Sequence, residues 1–259
     1  MDSRRRAIMG IVVASGGGEG TLGLAYTLNS NNQSYSCSGI GTATETDIEI
    51  GSIHDGLPVT AIAALAFKGN TTITSVSIPS SVRVIRDRAF LSCSNLVAVS
   101  LSVGLTSIES EAFAATHIAR IIIPEGMTGI GYAAFRNIND IRSVLPSTLE
   151  WLAGVSYGGT LFARWYFKSA NPPSIQTDTF ANYATWGTNI GLFYVPYANI
   201  NDYKTATNWA SYASLINPLV NTVADLSTID TTAYTKACVV GNEEYIEYTY
   251  DGSSWNIVN

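Results

Sequence analysis

At 259 residues the chain has room for one or two domains. It is 46% hydrophobic and 13% charged, against about 25% charged in an average soluble domain, which excludes a disordered chain and leaves Ser, Thr, Asn and Tyr to make the surface polar. The net charge of −6 excludes general nucleic-acid binding, which needs a basic face, and no apolar run reaches the ~18 residues of a membrane span.

Residues 1–20 begin with the basic cluster Arg4, Arg5 and Arg6 and end in the glycine run Ser15-Gly-Gly-Gly18. A glycine run is flexible unless something pins it, so this stretch is expected to be an arm that docks on a partner. The same start has the order of a short secretory signal: basic residues, an apolar stretch up to Ala14, then small residues. Gly18-Glu-Gly20-Thr-Leu-Gly23 fits a dinucleotide-loop pattern, but Leu24-Ala-Tyr26-Thr-Leu28 alternates as a strand does. With no helix N-terminus behind it the loop cannot cradle a phosphate, and no cofactor is expected.

Residues 21–62 read as a β-structured N-terminal cap, with a turn at Asn29-Ser-Asn-Asn32 and strands near Tyr35-Ser-Cys37 and Asp47-Ile48-Glu-Ile50. From 63 to 198 an aromatic residue recurs at Phe67, Phe90, Phe113, Phe135, Tyr157 and Phe180, at spacings of 23, 23, 22, 22 and 23. Strand-like segments keep step with it: Val76-Ser-Ile-Pro79, Val99-Ser-Leu-Ser102, Ile121-Ile-Ile-Pro124, Ser143-Val-Leu-Pro146, Trp165-Tyr-Phe-Lys168 and Phe193-Tyr-Val-Pro196. A fixed period of this length predicts an α/β-type solenoid of leucine-rich-repeat size, with a parallel sheet on one face. In four of the six repeats a proline (Pro79, Pro124, Pro146 or Pro196) stops the pairing; a turn leads to Val82-Arg-Val-Ile85 or its equivalent, and a short helical or irregular stretch carries the Ala-Phe pair. The last coil is longer, 28 residues from Lys168 to Pro196, and contains Asn171-Pro-Pro-Ser174. Residues 199–220 predict a helical C-cap started by Asn201. Residues 221–259 predict a small β element, in which Tyr245-Ile-Glu-Tyr-Thr-Tyr250 turns at Asp251-Gly252 and returns through Trp255-Asn-Ile-Val258. A lone hairpin is marginal, so it must pack on the solenoid or on another subunit.

No reacting constellation emerges. Cys37, Cys93 and Cys238 are far apart and read as buried thiols. His54 and His117 read as loop residues, and Glu243-Glu244 and Glu109/Glu111 as solvated carboxylates. Neither catalytic nor metal-binding residues are expected.

Phasing the strands on the aromatic ladder yields one further pattern. Ser75, Ala98, Arg120, Arg142, Arg164 and Leu192 fall in one outward column, and Ser77, Ser100, Ile122, Val144, Tyr166 and Tyr194 in the next. Like charges on neighbouring strands are unfavourable, so the three arginines need a counter-charge. Guanidinium suits carboxylate, sulfate or phosphate. Two readings stand: a stripe of Arg120, Arg142, Arg164, Tyr166 and Tyr194 that binds an acidic protein or an anionic glycan, or arginines beside nearby acids with the C-terminal hairpin packed against them.

These motifs, together with Tyr35-Ser-Cys-Ser-Gly-Ile-Gly41, Asp55-Gly-Leu-Pro-Val-Thr-Ala-Ile62 and Tyr194-Val-Pro196 followed by Tyr203-Lys204 and Trp209, give a chain that resembles the BspA-like leucine-rich-repeat family over about residues 24–218. The resemblance implies cell-surface adhesion and binding of host or matrix components, and it supplies no catalytic residues. The start, Ser3-Arg-Arg-Arg6-Ala-Ile-Met9, and the tail, Tyr248-Thr-Tyr-Asp-Gly-Ser-Ser-Trp255, are similar to segments of structural proteins of tailed phages of gut Bacteroidetes, including crAss-like phages. Together they imply a non-enzymatic virion protein, a fibre or decoration component in a multimeric assembly. Its partners would be other virion proteins and a host-surface glycan or protein. The alternative is a secreted bacterial surface adhesin. A carbohydrate-active enzyme would need two carboxyls facing each other across a cleft.

Overall fold

The computed structural model describes residues 18, 20–180, 191–241 and 244–258. The arm residues Arg4, Arg5 and Arg6 and the apolar stretch after them lie outside the described residues.

The chain winds into a solenoid in which each coil contributes to two parallel sheets. The longer strands are β3 (Asp47–Glu49), β6 (Ser75–Ile78), β8 (Ala98–Leu101), β10 (Arg120–Ile122), β12 (Arg142–Leu145), β14 (Ala163–Phe167) and β16 (Gly191–Pro196), stacked in that order. Pairing is in register from rung to rung: Ser75 meets Ala98, and Arg120 meets Arg142, which meets Arg164. The second sheet begins with the antiparallel pair β1 (Ala25–Leu28) and β2 (Tyr35–Gly39). It continues through β5 (Leu57–Ile62), with β4 (Ile53–His54) paired at its side, and then the two-residue strands β7 (Val84–Ile85), β9 (Ser107–Ile108), β11 (Gly129–Ile130), β13 (Trp151–Leu152) and β15 (Ser174–Ile175). Sequence pattern assigns one strand to each repeat and a turn that leads to Val82–Ile85, with no strand there. The second ladder recurs in the sequence as Ile62, Ile85, Ile108, Ile130, Leu152 and Ile175, in step with the aromatic residues, but two residues are too few to show the alternation of a strand. Strand β1 begins two residues after Gly23, where a phosphate loop would need a helix.

The aromatic ladder is the spine of the core. Phe67, Phe90, Phe113, Phe135 and Tyr157 stack with centroids 5.0–5.5 Å apart and planes within 16° of parallel, and Phe180 follows at 6.0 Å. All six are essentially without solvent contact. The segment that carries them is a run of turns, not a helix. Alternate N–H groups leave the coil: Phe67 donates to Ala89, Phe90 to Ala112, Phe113 to Ala134 and Phe135 to Ser156, at 2.7–2.9 Å. The N–H groups between them close turns three residues back, as Lys68 does on Leu65. This alternation requires left-handed backbone two residues before each of the first five aromatics, at Leu65, Arg88, Glu111, Ala133 and Val155, and two residues after, at Gly69, Ser92, Ala115, Asn137 and Gly159. Every coil therefore has a third hydrogen-bonded side, which satisfies backbone groups that a buried irregular loop would leave unpaired.

At the C-terminal end the expected helix is short. α1 spans Ile200–Thr205, with Asn199 rather than Asn201 at its N-cap, and a 3-10 segment covers Ala210–Leu215. Ile216–Val220 is strand β17, which pairs in parallel with β16. Phe193, Tyr203, Trp209 and Tyr212 close the core there, with Trp209 donating its indole N–H to the Pro173 carbonyl at 2.8 Å.

The C-terminal element holds one strand more than the expected hairpin. β18 (Lys236–Gly241) adds in parallel to β17, and β19 (Glu244–Tyr250) and β20 (Trp255–Ile257) follow antiparallel. The Asp251 carboxylate accepts the Ser253 and Ser254 N–H groups in the β19–β20 turn, which holds its pKa well below the usual carboxylate range. Four strand steps separate β14 from β19 along the sheet, about 19 Å if it were flat. Yet the Tyr166 hydroxyl is 2.7 Å from Glu247, so the sheet rolls over its own outward face.

Candidate binding face

The two outward columns lie where the aromatic phasing puts them, and β3 extends both. Asp47 heads the column Ser75, Ala98, Arg120, Arg142, Arg164, Leu192. Glu49 heads the column Ser77, Ser100, Ile122, Val144, Tyr166, Tyr194 and Asn217. The face is therefore graded, from acidic at the N-terminal rung through small and polar to basic, apolar and aromatic.

The C-terminal rungs of this face are occupied by the chain itself. Glu247, on β19, accepts hydrogen bonds from Tyr166 Oη at 2.7 Å, Tyr194 Oη at 3.1 Å and Arg164 Nε at 3.2 Å. The Tyr245 ring lies 4.6 Å from that of Tyr166, which stacks in turn on Tyr194 at 5.2 Å. Val144, Leu219 and Cys238 complete a small apolar cluster around them. On the other side of the hairpin Val220, Leu226, Ile229, Ala237, Val239 and Tyr248 form a second one. Burial is the main cause that drives the phenol pKa values of Tyr166 and Tyr194 well above normal, with the Glu247 charge adding to it, so both remain protonated donors. The Arg164 pKa is raised by Glu247 against the opposing effect of its own burial.

This corrects the sequence reading at two residues. Tyr166 and Tyr194 point outward from the solenoid, but each is 1% exposed beneath β19 and offers no surface to another molecule. Arg164 is tied into the same cluster. Arg142, one rung earlier, is exposed, and Arg120 is half-buried beside the half-buried Ile122. Glu247 was not singled out from sequence. Its one signal is a charge on the same strand face as Tyr245, in a chain whose three aligned arginines need a counter-charge.

The other polar candidates are structural. Glu111 accepts from Arg88 Nε at 2.6 Å and from Arg136 at 2.9 Å, and Glu109 accepts the Asp87 N–H, so both tie neighbouring rungs together. Glu243 and the side chain of Glu244 lie outside the described residues. His54 stacks on Tyr26 at 4.1 Å, and His117 Nδ1 lies 2.6 Å from the Ser94 carbonyl. Cys37, Cys93 and Cys238 are buried free thiols, and burial pushes Cys93 up to about 11 and Cys37 up to about 12. Among the described residues no group of three potential metal ligands comes together. No described helix is long and apolar enough to cross a membrane.

The stacked coils and their two parallel sheets define a leucine-rich-repeat solenoid. The family model for the BspA type leucine-rich repeat region matches residues 52–186, in six copies, which is over half of the chain. The chain belongs to the BspA-type leucine-rich-repeat family, whose fold typically serves as a non-enzymatic scaffold for protein or surface binding. A leucine-rich-repeat protein of T. pallidum is 27% identical, with a TM-score of 0.51 over 55% of this chain and 68% of that one. A leucine-rich-repeat protein from Bacteroides ovatus is 15% identical, with a TM-score of 0.34 over 84% of this chain and 75% of that one. A leucine-rich cell surface protein from Faecalibacterium prausnitzii is 15% identical, with a TM-score of 0.44 over 90% of this chain and 58% of that one. No curated protein sequence matches significantly.

Proposed function

We propose that the chain is a non-enzymatic adhesion and assembly protein whose binding surface is the part of the outward sheet face left open by the C-terminal hairpin. The observation that carries this reading is the exposed Arg142, held in register between Arg120 and Arg164 on a rigid parallel sheet. A charge presented by stacked rungs suits recognition of another macromolecule, because the backbone that carries it is already ordered. Within this function, the resemblance of the tail Tyr248–Trp255 and of the arginine-rich start to phage structural proteins favours a tailed-phage fibre or decoration component, with other virion proteins and a host-surface glycan or protein as partners. Family membership favours a second reading, a bacterial surface adhesin.

Mass spectrometry of purified particles from the source separates the two. Stoichiometric copies of this chain in the particle establish the virion role. Its absence there, with the chain open to protease on intact bacterial cells, establishes the adhesin.

A further inference from the structure

The sheet that carries the outward columns has two ends, and among the described residues one is closed and one is open. Beside β3 the chain covers the edge itself. Gly20 bridges Ile50, the Thr21 N–H reaches the Glu49 carbonyl at 2.7 Å, and the Thr21 hydroxyl accepts the Glu49 N–H at 2.8 Å. The other end is β20, which pairs with β19 on one side and with no described strand on the other. An uncovered edge strand offers a row of unpaired N–H and C=O groups to a second strand, and proteins blunt such edges with charge, proline or a bulge. β20 has none of these. Its pairing with β19 runs without a bulge, and Gly252-Ser-Ser-Trp-Asn-Ile-Val-Asn259 contains neither a charged side chain nor a proline. Asn256, Ile257 and Val258 are all exposed, Ile257 by 57%.

The pairing with β19 fixes which groups are open. Val258 donates its N–H to the Glu247 carbonyl, while Ile257 faces Tyr248, Asn256 faces Thr249 and Trp255 faces Tyr250. Backbone groups alternate in direction along a strand, so those of Asn256 turn to β19 and those of Trp255 and Ile257 turn away from it. Side chains alternate between the faces in the same way. Trp255 and Ile257 share the face of Tyr248 and Tyr250, where Trp255 packs against the second apolar cluster. We infer that this edge pairs with the same edge of a second copy of the chain, antiparallel about a twofold axis at Asn256, so that two sheets join into one. In that register Trp255 faces the partner subunit's Ile257 and exchanges both N–H and C=O bonds with it, and the twofold repeats the exchange. The Trp255 ring then lies beside the partner's Ile257 side chain, which extends the second apolar cluster across the seam. Charge favours a second copy at this place, because two chains of net charge −6 meet here through segments with no charged side chain. So short a seam belongs to the size class of transient contacts, and the dimer is a weak one. It adds self-association to the binding role proposed above and does not depend on that role.

The test uses the full chain. Sedimentation velocity from about 5 to about 500 μM should show a monomer–dimer equilibrium with a dissociation constant on the order of 10–100 μM. Ile257→Pro removes a donor that faces away from β19, so it keeps the β19–β20 bonds and should weaken the dimer by about tenfold or more. Cysteine substitution reads the register. Asn256→Cys sets the new thiol opposite its own copy, within disulfide reach, and mild oxidation should give a covalent dimer on a non-reducing gel. Val258→Cys sets its thiol opposite the partner's Ser254 and should give little. Cys37, Cys93 and Cys238 are buried and do not compete. Unchanged unfolding midpoints keep a folding defect from imitating the loss, and the two cysteine variants carry the comparison if Ile257→Pro is impaired. Three outcomes overturn the inference. One is a chain that stays monomeric throughout the concentration range, which leaves the edge to a strand of a different protein. The second is a dimer that Ile257→Pro leaves as tight as the parent. The third is equal cross-linking through Cys at 256 and at 258, which means that the copies meet by collision or in another register.

Discussion

At the scale of single residues, departures from the repeat come in compensating pairs. Tyr157 stands where the other coils have Phe, and it is wholly buried. Burial raises its phenol pKa, and the hydroxyl of Ser143 is the polar group that works against the rise. Ser143 itself stands where β6, β8 and β10 turn Val76, Val99 and Ile121 inward. Neither hydroxyl makes a hydrogen bond of ordinary length and angle among the described residues. The pair is thus a polar insertion in the core, and a coupling between its members is measurable. Ser143→Val alone is expected to cost about 1–3 kcal/mol, because it strands the Tyr157 hydroxyl in the core. Adding Tyr157→Phe should recover most of that loss, giving a coupling of about 1 kcal/mol or more in a double-mutant cycle by urea unfolding. Additive losses would show that the two hydroxyls are independent.

At the scale of elements, the C-terminal hairpin is held by fewer bonds than its size suggests. β18 joins β17 through two register pairs, Leu219 with Cys238 and Val220 with Val239. Among the described residues the two apolar clusters, the Tyr245 ring on Tyr166 and Glu247 add to this attachment. Glu247→Gln replaces charge-assisted bonds by neutral ones and leaves Arg164 without its counter-charge. A loss of about 1–3 kcal/mol is expected, confined to the hairpin. Limited proteolysis should then cut first in the 221–235 connection while the solenoid stays intact; equal protection in variant and parent would show that the apolar cluster alone holds the strand. The hairpin was legible in the sequence, through the alternation of Tyr245–Tyr250 and the Asp251-Gly252 turn, but its seat was not. The bond from Tyr166 to Glu247 spans 81 residues and obeys no period. The left-handed positions were hidden for a related reason. They recur with the repeat, yet Leu65, Arg88, Glu111, Ala133 and Val155 share no side-chain property, because the backbone there is dictated by the hydrogen bond to the next coil. The aromatic spine was readable because its side chain, and not its backbone, does the packing.

At the scale of the whole molecule, stability is that of a stack, in which each coil meets only its neighbours. The number of coils is then adjustable, provided that register is kept. Residues 113–134 make up one 22-residue period, and removing them joins Ala112 to Phe135, which restores the Ala-Phe step. The deletion takes out β10 and β11 together and brings β8 against β12 and β9 against β13. Inward positions then meet inward positions: Val99 meets Ser143, and Ile108 meets Leu152. Phe135 stacks on Phe90 as Phe113 did. This shortened chain is expected to fold, with the far-UV circular dichroism of the parent scaled for length and a single cooperative urea transition at a lower midpoint. Removing residues 113–123 instead leaves half a coil, puts no aromatic after Ala112 and throws both sheets out of phase, because a shift in pairing turns buried side chains to solvent. That variant should show no cooperative transition. Equal loss of cooperativity in both deletions would mean that the particular neighbours at each rung, rather than the period, hold the solenoid together.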